Sequence, residues 1–89
     1  MKQFTKQQIE AAVLRVVAER GGVPATDLTR ETHFRDDLNF DSLDLVELTM
    51  SLEEEFELSI PDGEAEKLIT VGEVVDCVVE RSQNAASPA

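Results

Sequence analysis

The sequence predicts an all-α fold: a small four-helix bundle with a long loop between helices one and two and a short third helix. Three observations predict it. Apolar residues recur at helical spacing in three separate stretches, two of those stretches open on a capping-box pattern, and Gly or Pro residues punctuate the ends. At 89 residues the chain makes one domain, and a domain this size buries only about 60% of its unfolded surface. With four Phe and no Trp or Tyr, its core is built from Leu, Ile, Val and Ala.

The first helix is expected to start near Lys6. Thr5 and Gln8 have the spacing of a capping box, and Phe4 and Ile9 that of a hydrophobic staple. Ile9, Ala12, Val13, Val16 and Val17 then share a face, and Gly21-Gly22 ends the helix. Residues 23–40 form a long connection, anchored by the isolated apolar residues Leu28, Phe34 and Leu38. The second helix runs from about Ser42 to Glu57, with Asp41 as N-cap and an apolar stripe of Leu45, Leu48, Leu52 and Phe56. A short helix is expected from Asp62 to Leu68. The last helix opens on Thr70 and Glu73 as capping box, with Ile69 and Val74 as staple, and buries Val71, Val74, Val75 and Val78. Residues 1–81 form the domain, and 82–89 read as a disordered C-terminal tail.

Charge is concentrated. Between Asp36 and Glu66 lie twelve carboxylates and no Lys or Arg, so this segment carries −12 and the remainder +1, for a net −11. Such a surface repels nucleic-acid phosphates and anionic membranes, and suits partners with Lys or Arg patches. The single cysteine, Cys77, has no internal disulfide partner and falls in the apolar pattern of the last helix, where a thiol is usually inert. No apolar run approaches about 20 residues, and no secretory h-region precedes a cleavage site. The expectation is a soluble, cytoplasmic monomer.

Catalytic constellations are missing from the sequence. His33 is the single histidine and falls in the loop, no glycines flank Ser42 as in a nucleophile elbow, and there is no Gly-rich phosphate loop. Asp37, Asn39 and Asp41 have the spacing of the first three EF-hand ligands, but Ser42 stands where the sharp turn needs Gly and Leu48 where the bidentate Glu belongs. No catalytic residue and no metal site is expected. Ser42 itself sits in the first turn of a helix, where unpaired N–H groups and the macrodipole favour an anion while Asp41 and Asp44 oppose it. Helix geometry alone leaves two readings open there, a helix-starting serine and a modified one.

Asp37 to Leu48 (Asp-Leu-Asn-Phe-Asp-Ser-Leu-Asp-Leu-Val-Glu-Leu), followed by Leu52-Glu-Glu-Glu-Phe56, resembles the acyl carrier protein family. Ile60-Pro61-Asp62, Ala65-Glu66-Lys67 and Thr70-Val71 continue the resemblance, which covers about residues 5–81. It implies a non-catalytic carrier in which Ser42 bears 4′-phosphopantetheine, placed there from coenzyme A by a phosphopantetheinyl transferase and carrying acyl groups as thioesters. It further implies that Asp41, Leu43, Asp44, Glu47, Met50 and Glu54 face basic patches on fatty-acid-synthesis and other acyl-transferring enzymes. An acyl chain would lie among Phe34, Leu38, Leu48, Leu52, Ile60, Ala65, Leu68 and Val74. The expected pathway is fatty acid biosynthesis. The alternatives are a specialised carrier for polyketide or other acyl chemistry and, from another class, an acidic helical interaction module with no prosthetic group. Two residues depart from the family pattern: Asn39-Phe40 replaces the usual small pair before the Asp, and Gly63 lowers helix propensity in the short helix.

Overall fold

A computed structural model describes residues 4–85. Four α-helices follow in chain order: α1 (Lys6–Gly21), α2 (Ser42–Phe56), α3 (Asp62–Ala65) and α4 (Val71–Ala85), with one 3-10 turn at Ala25–Asp27. α1 packs on α4 and α2, and α3 on α2. The helical expectation holds, and the chemistry at the helix ends is the chemistry read from the sequence.

At the start of α1 the Thr5 hydroxyl accepts from the Gln8 N–H at 3.1 Å, while the Gln8 side chain accepts from the Thr5 N–H at 2.9 Å. Gly22 ends it in the left-handed conformation, at φ 67°, where a side chain would be strained. Thr70 and Glu73 cap α4 in the same reciprocal way. Ile9, Val13 and Val17 on α1, Leu48 and Leu52 on α2, and all four expected valines on α4 are buried in one core. Phe4 seals one end, its ring edge-on to Phe56 with centroids 4.9 Å apart.

Three boundaries differ from expectation. α3 ends at Ala65, because Lys67 and Leu68 turn back to carbonyls three residues earlier; the tighter turn lets Ala65 and Leu68 share the buried side. Ile69 does not bury as a staple and stays 55% exposed, since its N–H goes to the Glu73 carboxylate and its carbonyl to Phe34. α4 continues to Ala85, through the first four residues of the segment read as tail, and residues 86–89 lie outside the described residues.

The long connection is held at many points. Leu28 and Phe34 are buried and Leu38 is half-buried, as the sequence suggested. Phe34 donates its N–H to the Ile69 carbonyl and accepts the Phe40 N–H, and its ring stacks on Phe40 at 5.6 Å. The Val71 and Gly72 N–H groups donate to the carbonyls of Thr32 and Arg30. Gly72 permits this close approach, because a Cβ would stand 3.0 Å from the Arg30 carbonyl oxygen and push the two segments apart by a few tenths of an ångström. The Arg30 guanidinium binds both oxygens of Asp76 at 2.9 Å and lies 3.6 Å from Glu10, tying the loop to α4 and α1. A segment without regular structure thus becomes a fixed strap leading to Ser42.

Candidate functional site

Ser42 is the first residue of α2 and is exposed. Its position is set by Asp41, whose carboxylate accepts the Asp44 N–H at 2.9 Å while the Asp44 carboxylate accepts the Asp41 N–H at 3.1 Å. This is a capping box made of two aspartates. The Asp44 N–H, with smaller help from neighbouring amides, holds the Asp41 carboxyl below the usual carboxylate range. The Ser42 side chain is exposed at the surface while its backbone lies between the strap on one side and the cap on the other.

One residue at this site was not foreseen. Arg35, at the edge of the acidic segment, donates from Nη2 to the Ser42 hydroxyl at 3.1 Å. The sequence signal was a lone cation seven residues before the serine, but nothing in the spacing says that a turn at 34–38 folds it back.

α2 presents two faces. Leu45, Leu48, Leu52 and Phe56 point inward, while Leu43 and Met50 are 64% and 54% exposed among the charges. Met50 is therefore a surface residue and not a filler of the core. The carboxylates of this face are less uniform than the sequence implied, because cations from elsewhere in the chain reach them. Glu47 pairs with Arg20 at 3.4 Å and Glu55 with Arg15, and farther along the acidic segment Glu64 of α3 pairs with Arg81. Glu53 turns inward to accept the Ile60 N–H at 2.7 Å. Asp41 and Asp44 are engaged in the cap. Glu54 is exposed and has no ion-pair partner among the described residues.

Residues 11–78, the stretch that contains this site, match the family model described as the phosphopantetheine attachment site. An acyl carrier protein of Rubrobacter xylanophilus is 52% identical over 75 residues, covering 84% of this chain and 93% of that relative. The chain belongs to the acyl carrier protein family. It is a carrier and not an enzyme, and its cofactor is phosphopantetheine.

The site fits such a group. A carrier needs a hydroxyl that a second protein can reach, and the exposed Ser42 hydroxyl, at a capped helix start with the Arg35 guanidinium 3.1 Å away, has the chemistry such a group would need. The carrier's core residues expected around an acyl chain are gathered in one place: Phe34, Leu48, Leu52, Ile60, Ala65, Leu68 and Val74 are buried in the common cluster and Leu38 packs against it. Cys77 is half-buried at the edge of that cluster, and burial, with Glu80 nearby, raises its thiol pKa and keeps it protonated. Of the EF-hand-like residues, Asp37 accepts the His33 N–H at 2.8 Å and Asp41 caps α2, so both carboxylates serve the backbone. No helix among the described residues is long and apolar enough to cross a membrane.

Proposed function

We propose that Ser42 is the attachment point of 4′-phosphopantetheine and that the protein carries acyl intermediates of fatty acid biosynthesis, in the cytoplasm. The observation that supports it is the exposed Ser42 hydroxyl at the start of α2, inside the stretch matched by the attachment-site family. A partner transferase delivers the group from coenzyme A to this oxygen. When bound, the arm supplies a thiol that holds acyl groups as thioesters.

The remaining work falls to this chain's own residues. The two-aspartate cap would hold the backbone of Ser42, the residue that would bear the arm. Leu43 and Met50 offer apolar contact to a partner, and Asp41, Asp44, Glu47 and Glu54 surround them with negative charge that suits basic patches on the transferase and on acyl-handling enzymes. Glu54, without an ion-pair partner among the described residues, is the carboxylate of the four with most to gain from a partner's Lys or Arg. The core is mainly aliphatic but also holds the rings of Phe34, Phe40 and Phe56, so an acyl chain enters by separating aliphatic side chains and by disturbing the Phe34–Phe40 stack. The carrier domain runs to the end of α4 at Ala85.

Incubation with coenzyme A and a broad-specificity phosphopantetheinyl transferase, read by intact mass, tests the attachment. Wild type gains one phosphopantetheine and Ser42→Ala gains none. No gain on wild type, or the same gain on Ser42→Ala, rejects Ser42 as the site. A pathway assignment is tested by elongation: a fatty-acid-synthesis system reconstituted with the loaded protein yields acyl thioesters of increasing length on it.

A further inference from the structure

We propose that Arg35 is a positioning residue for the group on Ser42, its guanidinium pairing with the phosphodiester and fixing where the arm leaves the surface. This rests on Ser42 being the attachment point.

Three observations carry it. Arg35 Nη2 stands 3.1 Å from the Ser42 hydroxyl oxygen, the atom that becomes the ester oxygen. Arg15, Arg20, Arg30 and Arg81 are each ion-paired to a carboxylate, whereas among the described residues Arg35 has none and donates only to Ser42. The geometry is also fixed in advance. Phe34, the residue before Arg35, is buried and pinned through both its N–H and its carbonyl, and the Arg35 carbonyl accepts the Asn39 N–H.

In the unmodified protein this cation meets a neutral hydroxyl. Esterification puts a full negative charge at the same place, between Asp41 and Asp44. Hydrogen bonds between ionised partners are about twice as strong as neutral ones, and the planar guanidinium matches the oxygens of a phosphodiester. Arg35 therefore gains most in the modified state, and it offsets the repulsion that the two aspartates would otherwise exert.

The test compares apo and loaded forms of wild type, Arg35→Gln and Arg35→Lys, with loading confirmed by intact mass. Arg35→Gln is expected to lower the melting temperature of the loaded form by about 2–5 °C more than that of the apo form. The excess shrinks in about 1 M salt, where screening acts within about 3 Å. Arg35→Lys falls between. Equal shifts in the two forms mean an ordinary structural role and overturn the proposal. A second measurement needs no variant: the Arg35 Nε–H resonance of ¹⁵N-labelled wild type moves when the protein is loaded, and an unmoved resonance overturns the proposal even where Arg35→Gln resists loading. Wild type that gains no mass sinks the attachment reading and this inference together. Loaded wild type with equal shifts sinks this inference alone.

Discussion

The inward and outward faces of α2 are built from the same fifteen residues and answer to different demands. Leu45, Leu48, Leu52 and Phe56 are at most 6% exposed, while Leu43 and Met50, on the same helix, are more than half exposed. Residues of one chemical type are thus divided between two tasks, and position on the helix decides which. A leucine on the inner face is valued for the volume it fills. One on the outer face fills no volume and instead leaves apolar surface open to contact from outside.

The contrast can be broken or sharpened by substitution. Leu52→Ala should have the largest effect, lowering stability by about 2–5 kcal/mol in a denaturant titration, because it leaves a cavity in a closed core. A loss below about 1 kcal/mol would show that the inner face is already loosely packed. Charge reversal on the outer face comes next. Glu54→Lys should reduce kcat/KM with the phosphopantetheinyl transferase roughly fivefold at low salt, and less as salt rises. Glu47→Lys should cost binding less, because Arg20 already shares the Glu47 charge, and should instead lower the melting temperature by repelling Arg20. Equal kinetic losses would mean that the internal pair does not divide the two carboxylates.

The helix start yields a pH test. Asp41 has a folded-state pKa below its unfolded value, so its contribution is present above the unfolded pKa and is lost as pH falls through the folded one. Asn caps as well as Asp but does not titrate. The stability advantage of wild type over Asp41→Asn should therefore be constant near neutrality and fade below about pH 4 in paired thermal melts. A difference that is flat down to strong acid would place the cap's strength elsewhere. Smallest of all, Met50→Ala should change stability by less than about 0.5 kcal/mol, since the side chain is exposed. A larger loss would move Met50 to the inner face.

The helices and their caps were legible in the sequence because their signals are local. Thr5 with Gln8, and Thr70 with Glu73, each state a helix start within four residues, and the 3-4 spacing of the α2 leucines states its inner face. The order of the loop was only partly legible. Phe34 and Leu28 stood out as apolar anchors, but the backbone bonds from Phe34, Val71 and Gly72 join residues about 35–42 apart in sequence, and no short pattern encodes them. The same distance hid the electrostatics. A run of twelve carboxylates without a cation looks unpaired in one dimension, yet Arg15, Arg20 and Arg81 reach it across helix interfaces. The place of Ser42 at the start of α2 was legible through the residues around it, and the Arg35 contact was not, because it depends on a turn whose closure the sequence does not announce.

The seam between the loop and the start of α4 has a kinetic consequence. The amides of Phe34, Val71 and Gly72 all cross it, and Phe34 is also one of the residues that would line an acyl space. A guest chain that entered near Phe34 would have to loosen the same bonds that hold the approach to Ser42. Those three amides should exchange with solvent deuterium as one group, and for a chain taking that route their shared opening rate would set an upper limit on its passage between solvent and core.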